Sequence, residues 1–554
     1  MSRPWDKFWP KGVPKSIQYP EIPLTDFIEN TANKFPDRAV TVFHETEMTY
    51  GRLWDIAMRF ATALADIGVK KGDVVAIMLD NCPQFIAASF GALKIGAVVT
   101  PCSPMLASRE FEHQLEDSTA KTAVLSYALY LQRLKKIRGE AEVENIITLD
   151  PLEYTKDEKA RKPDPETIDF KSTVEKYEPN PPHVKIEPKK DLAVLGYTGG
   201  TTGTPKGVML THYNRVVNLI QGAAWYAPAI GEEADEVPIP SEIPREKVEK
   251  GIAVSPWCHA MGFAGLSTRL AVGTTMVIMD GFDPGKFLKL IETHKPHGMG
   301  GAPTLYRFLL SHPNFDKCDK SSLKYCISAA APLPVETLRE IEKRANVIVI
   351  EGYGLTEATA ATIINPTHPE SIRKVGSVGI PISDTDAKVV DVETGTKEVP
   401  TGEIGELILS GPQVMQGYWR KSEETAKVLR NGWLYTGDIA KMDGEGYFYI
   451  VERKKDMLIY KGYNVYPREL EEVLYEHPAV KLCAVVGKPD RLAGEIPKAF
   501  VVLKEGAKVT AEELMKFVEE RVSAYKKIKE IEFRSSLPLT FIGKVSKKEL
   551  RGKN

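Results

Sequence analysis

Short apolar runs alternate with amphipathic helical patterns through most of the first 350 residues, and this alternation limits the fold more than any other feature. The runs at 73–79, 97–100, 122–126, 145–149, 275–279 and 347–351 are continuous rather than alternating, as expected of strands buried on both faces. Between them lie helical patterns. Thr49 can cap a helix in which Leu53, Ile56, Phe60, Leu64 and Ile67 share one face, with Gly68 ending it. Residues 85–95 read as a second helix. Strands separated by helices form parallel βαβ units, so the class is α/β.

A chain of 554 residues has room for three or four compact units. The texture changes at about 376–450, where short strands (387–391, 405–410) are separated by Gly, Thr and Asp clusters. That pattern suits a small β-barrel-like subdomain. The last hundred residues read as a small α+β domain. Pro467 opens a helix carrying Leu470, Val473 and Leu474, strands are expected at 480–486 and 498–503, and Thr510 with Glu513 forms a capping box. The expected division is a large domain over 1–452, a hinge at 453–456 and a mobile small domain over 457–554. Residues 231–250, rich in Glu and Pro, read as a surface insertion.

Lys plus Arg total 73 against 75 Asp plus Glu, a net charge of −2. That balance excludes a polycation built to coat nucleic acid. Six widely spaced cysteines without a C-x-x-C pair imply free thiols in a reducing cytoplasm. Residues 1–19 lack the apolar run of a signal peptide, and 85–99, broken by Lys94, falls short of a bilayer span. Trp5, Phe8 and Trp9 are expected to dock on a partner subunit, as in a homodimer, or peripherally on a membrane surface.

The strongest chemical signal is Tyr197-Thr198-Gly199-Gly200-Thr201-Thr202-Gly203-Thr204-Pro205-Lys206-Gly207. It follows an apolar strand (192–195) and precedes a helix bearing Val216, Val217 and Ile220. Glycines let backbone approach a ligand, hydroxyls and N–H groups donate to phosphate oxygens, and Lys206 adds a charge. It lacks the spacing of a Walker A loop. Four more segments follow in order: Glu351-Gly352-Tyr353-Gly354-Leu355-Thr356-Glu357; Tyr435-Thr436-Gly437-Asp438; Glu452-Arg453-Lys454-Lys455-Asp456 with Lys461-Gly462-Tyr463; and Gly543-Lys544-Val545.

Together these segments resemble the adenylate-forming family, which includes acyl- and aryl-CoA ligases, luciferases and peptide-synthetase adenylation domains. The resemblance runs from about residue 25 to 550 and is nearest the medium- and long-chain fatty-acid–CoA ligases. It implies a two-step reaction: a carboxylate attacks the α-phosphorus of ATP, releasing pyrophosphate, and coenzyme A then displaces AMP. It further implies that Thr198, Gly199, Gly200, Thr201, Thr202, Gly203, Thr204, Lys206, Gly352, Tyr353, Thr356, Asp438, Arg453 and Lys544 bind the nucleotide. Tyr353 would stack on adenine, and Asp438 with Arg453 would take the ribose hydroxyls. Thr201 and Glu357 resemble the contacts to Mg2+, which favours oxygen ligands. Lys544, Thr356, Glu357 and Lys206 are the implied catalytic set, with Lys544 on the α-phosphate and the acid. His259, Gly265, Gly301, Ala329 and Gly354 would border the acyl pocket. His259, Lys461, Gly462 and Tyr463 would line the coenzyme A tunnel after rotation about Lys455.

His294 and His297 have no partner set for a metal and read as structural. Nothing marks Cys258 as an activated nucleophile. Residues 259–266 carry no aspartate to pair with a substrate ammonium, so amino acids are disfavoured. Acetate-type ligases of the family carry tryptophan where Gly354 stands, and glycine is expected to open a tunnel there. The expected acid is therefore a medium- to long-chain fatty acid. The alternatives are a hydroxycinnamate-like aryl acid, or an acyl group passed to a carrier protein. A non-catalytic nucleotide-binding relative would be expected to lack Lys544, Glu357 or Asp438, and all three are present.

Overall fold

A computed structural model of the chain describes residues 3–139, 142–198, 205–230, 246, 248–461, 463–540 and 544–551. The apolar runs assemble into two large sheets. The first has parallel strands in the order Leu192–Tyr197 (β1), Val98–Pro101, Val74–Met78, Thr122–Ser126, Asn145–Leu149 and Ile168–Asp169. Its other edge is antiparallel: Gly207–Thr211 (β2) pairs with β1, and Gly417–Tyr418 pairs with β2. Helix α1 (His212–Tyr226) follows β2 directly, started by a capping box between Thr211 and Asn214.

The second sheet runs in parallel from Ala39–Phe43 through Thr275–Ile278, Lys250–Ala253, Gly298–Gly301 and Tyr325–Ser328 to Ile348–Gly354 (β3), with antiparallel strands added at each end. Helix α2 (Ala260–Val272) packs against α1 and against the helix Thr25–Lys34. Phe60, Phe85, Phe90, Phe263, Leu266 and Leu270 fill the core shared by the two sheets.

The expected α/β architecture is present. The helix after Thr49 spans Tyr50–Asp66, and the strands at 122–126 and 145–149 fall where the sequence put them. Two expectations need correction. The phosphate-loop segment is not followed directly by a helix: the described residues after it form β2, antiparallel to β1. The missed strand, Gly-Val-Met-Leu-Thr, is apolar enough to be buried in the sheet before the chain turns into α1. Lys250, read as part of an insertion, instead starts a strand between two parallel neighbours. Residues 231–245 lie outside the described residues.

The barrel-like subdomain is an antiparallel sheet of Asp386–Val390, Gly405–Ser410, Leu429–Arg430, Trp433–Met442 (β4) and Phe448–Arg453 (β5). The small domain holds the hairpin Val480–Asp490 and Gly494–Leu503, the helices Pro467–Glu476 (α3) and Ala511–Glu519, and a core of its own around Leu470, Leu474, Val485, Val501 and Leu514.

The aromatic N-terminus is not a free docking surface. Trp5 is buried, edge-on to Phe448 at 5.8 Å, Phe8 meets Tyr447 at 5.7 Å, and Trp9 meets Trp225 at 5.3 Å. Gly446, at φ +86°, allows this approach, because a Cβ there would lie 2.6 Å from the Trp5 nitrogen. Trp5 is therefore consumed within the chain, which corrects the expectation of a partner or membrane contact through it, while Phe8 and Trp9 are half-buried. Trp5→Ala should destabilise the body by about 3 kcal/mol and lower Tm, with vesicle binding no different from wild type. An unchanged Tm would show that the packing contributes little.

Candidate active site

The site forms where β3, the barrel and the tip of the small domain meet. Beyond Tyr353 the strand has a bulge. A Cβ on Gly354 would stand 1.8 Å from the Ala360 carbonyl oxygen, so the bulge itself requires glycine. The expectation that this glycine opens a tunnel is corrected accordingly: a tryptophan there would displace backbone before it filled any pocket.

A single 3-10 turn, Thr356–Ala358, then presents Thr356 and Glu357. The Thr356 methyl lies 3.1 Å from where a Cβ on Gly196 of β1 would be, so Thr356 sits at the foot of the phosphate-loop hairpin. Glu357 is held by its carbonyl, which accepts from Met415 N–H at 2.8 Å, and by Oε1, which accepts from the Tyr418 hydroxyl at 2.9 Å. Lys206 pairs with Glu424 and lies 4.9 Å from the Tyr418 ring centre. At the base of the hairpin, Thr198 N–H donates to Lys206 O at 3.1 Å. Gly199, Gly200, Thr201, Thr202, Gly203 and Thr204 lie outside the described residues, as does Gly462.

The barrel supplies the polar half. Register between β4 and β5 sets Asp438 opposite Arg453, whose Nε is 3.4 Å from Oδ1. The Tyr353 hydroxyl donates to Oδ2 at 2.5 Å. Burial pushes the Asp438 carboxyl above its ordinary value, against the pull of Arg453 and the Tyr353 hydrogen bond. Burial, with Asp438 adding to it, also pushes the Tyr353 phenol far up, so it stays a donor. A buried carboxylate held between a guanidinium and a phenol is preorganised to accept hydroxyl donors. A cavity of about 240 Å³, bordered by Leu355, Glu357, Tyr418, Thr436 and Lys454, opens beside it.

Lys544 reaches this place from the small domain, where Thr540 N–H donates to Lys544 O and Lys544 N–H donates to Thr540 Oγ1. Burial, and then the nearby Arg453 and Lys455, pull its ammonium down to about 8, against the opposing effect of Asp438. His259 is pulled down to about 4 by burial and by Lys544. Lys544 thus feels both Asp438 at the nucleotide end and His259 at the other. Lys455 is also lowered by burial and Arg453, with Asp456, Asp438 and Glu357 opposing.

His259 is the N-cap residue of α2, after a tight turn in which a Cβ on Gly262 would lie 1.9 Å from Pro256 O. Gly265 faces open space, whereas a Cβ on Gly301 would press on Leu305 at 2.6 Å. Ala329 N–H donates to Gly301 O at 3.4 Å, which brings those two residues together. Lys461 and Tyr463 stay with the small domain: Lys461 N–H donates to Ala493 O, and Tyr463 stacks on Tyr525. Their described contacts do not bring them to His259. His297 is structural, its ring accepting from Lys250 N–H at 3.4 Å. Tyr418 and Glu424 were missed by sequence reading, because neither lies in a motif; pairing of Gly417–Tyr418 with β2 delivers Tyr418, and the helix Ser422–Val428 that follows carries Glu424.

The fold and site together are those of a nucleotide-dependent adenylating enzyme. Residues 28–419 match the AMP-binding enzyme family model, and 469–544 match the AMP-binding enzyme C-terminal domain. The chain belongs to this adenylate-forming family. A long-chain-fatty-acid–CoA ligase from Bacillus subtilis (strain 168) is 39% identical over 99% of this chain and 97% of its own length. A feruloyl-CoA synthase from Amycolatopsis sp is 34% identical over 91% of this chain and 94% of its own. Among solved structures, the anthranilate CoA ligase AuaEII in complex with anthranoyl-AMP aligns with a TM-score of 0.85 at 28% identity, covering 96% of this chain and 97% of that one. ATP-bound MatB from Rhodopseudomonas palustris aligns at 0.84 with 27% identity, covering 96% and 99%.

Two outcomes follow from the geometry. Asp438→Asn should raise the KM for ATP by about tenfold or more and shrink the preference for ATP over 2′-deoxy-ATP; an unchanged preference would remove Asp438 from the ribose. Lys544 must be protonated to hold anions, and kcat/KM reports the free enzyme. Adenylate formation should therefore fall as pH rises through about 8. Thioester formation from a supplied acyl adenylate should lack that limb. An adenylation profile still flat a full pH unit higher would contradict the role.

Proposed function

We propose that the protein is an AMP-forming medium- to long-chain fatty acid–CoA ligase that runs both half-reactions in one cleft. The carrying observation is Lys544, a buried cation of the small domain that is electrostatically coupled to Asp438 and to His259 of the large domain. In the first step a carboxylate oxygen bonds to the α-phosphorus of ATP while the bond to pyrophosphate breaks. Negative charge grows on the phosphoryl oxygens, and Lys544 is placed to stabilise it while gripping the acid. Thr356 can donate to the same phosphate, Lys206 sits by the phosphate loop, and Asp438 with Arg453 holds the ribose under Tyr353.

Glu357 suits a Mg2+ contact. It is an oxygen donor already oriented by Tyr418, and Mg2+ takes one or two carboxylates and keeps its waters. Bound there with Thr201, the ion would neutralise charge on the departing pyrophosphate.

In the second step the thiolate sulfur of coenzyme A attacks the acyl carbon and AMP leaves. Lys544 has to withdraw first, so the small domain swings about Lys455 and brings Lys461, Gly462 and Tyr463 toward His259. Two features support the fatty acid reading: the Bacillus subtilis relative, and the half-buried, uncharged residues Met261, Ala264 and Thr268 on α2, with the exposed Gly265 among them. An aryl acid is the second reading, favoured by the feruloyl-CoA synthase and anthranilate CoA ligase relatives. The six cysteines are unpaired, in keeping with a cytoplasmic enzyme, and no helix among the described residues is long and apolar enough to cross a membrane.

An acid panel with ATP and coenzyme A tests this. Activity should climb from acetate toward decanoate and palmitate, each methylene adding up to about 0.8 kcal/mol. A preference for acetate or a hydroxycinnamate would replace the reading, and an adenylate that free coenzyme A cannot discharge would indicate a carrier protein. Lys544→Ala should cut adenylation by about a hundredfold or more and spare thioester formation from supplied adenylate, whereas Lys455→Pro should do the converse. Equal losses in both steps would count against the rotation.

A further inference from the structure

Asn81 lies between the strand Val74–Met78 of the first sheet and the helix Pro83–Lys94. Its side chain crosses to the second sheet. Nδ2 donates to Ser255 O at 3.0 Å and to Ala253 O at 3.5 Å, and Oδ1 accepts from Trp257 N–H at 2.9 Å. The partners fix the orientation of the amide. Two carbonyls require donors and one N–H requires an acceptor, so a flipped amide would lose all three contacts.

What Asn81 holds is the stretch that leaves the strand Lys250–Ala253 and enters α2 at His259. That stretch is not a strand, so its backbone groups need partners outside a ladder. The Asn81 amide serves as a short substitute for a neighbouring strand. The same stretch bears on the residues expected around the acid. Pro256 O accepts from His259 N–H at 3.2 Å, and the Ser255 hydroxyl donates to Gly300 O at 3.5 Å, one residue before Gly301. Trp257, 3% exposed, anchors it against Phe85, whose ring centre is 5.7 Å away on the helix that Asn81 precedes.

We propose that Asn81 is a positioning residue for the acyl pocket: by tying 253–257 to the first sheet, it sets where His259 and the first turn of α2 stand relative to the rest of the cleft. This rests on the ligase reading, in which His259 borders the acyl chain. None of the nucleotide residues described above is held by Asn81, so its loss should act on the acid and on thioester formation and leave ATP alone.

Asn81→Leu keeps the shape and removes all three hydrogen bonds; Asn81→Ala removes them with less bulk, and carries the test if the leucine variant does not fold. Each full-length variant is measured with whichever acid the wild type uses best, so a surprise in acid preference bears on the ligase reading and not on Asn81. The KM for the acid should rise about tenfold, the KM for ATP should stay within about twofold, and the profile across acid lengths should flatten. Amide hydrogen exchange over 253–263 should quicken. Acid and ATP parameters that worsen together would reveal a merely structural residue and overturn the proposal, as would kinetics and exchange that do not change.

Discussion

Three cations crowd the centre of the cleft. Arg453, Lys455 and Lys544 act on one another there, with Asp438 as their common opposing charge and Glu357 acting on Arg453 and Lys455. Burial first, and then this crowding of like charge, pulls the Lys544 ammonium below its ordinary value. A triphosphate and a carboxylate supply the missing negative charge. Under the proposed two-step reaction, the same crowding would give a physical reason for the cap to move: once pyrophosphate has gone, less anion would remain to hold Lys544 among its fellows.

The rest of the docking is polar and modest, as a reversible interface requires. Arg307 of the body donates to the Tyr475 hydroxyl at 2.8 Å and lies over its ring at 3.9 Å. Arg468, at the start of α3, donates its backbone N–H to Glu452 at 3.0 Å and its guanidinium to Ile450 O. Lys547 bridges Glu452 and Glu471 at 3.1 and 3.0 Å. Asp456 accepts from Arg551 at 2.9 Å, so the turn after β5 is tied to the last helix of the small domain.

Much of the architecture was legible in the residues, because burial writes itself into local pattern. Continuous apolar runs gave the parallel strands, Thr49 and Thr510 cap helices as read, and the charged run at 452–456 marks the junction. What escaped depended on contacts distant in sequence. The strand Gly207–Thr211 reads locally as a lead-in to a helix, and only pairing with β1 makes it a strand. Tyr418 gains its place through a two-residue strand, and Glu424 through the short helix after it. Trp5 looks like an exposed anchor until Phe448 is found beneath it. Gly354 was read for the side chain it lacks, whereas the Ala360 backbone explains it.

The N-terminal clasp has a mechanical side. Phe448, under Trp5, begins β5, and β5 runs straight into Lys454 and Lys455. Asp384 adds a second stitch, accepting from Ile17 N–H and the Tyr19 hydroxyl, each at 2.8 Å. The first twenty residues thus brace the strand that leads into the basic run 453–455, some 450 positions further along the chain. A fusion tag joined at that end would load this strand from a distance, without touching Asp438 or Lys544.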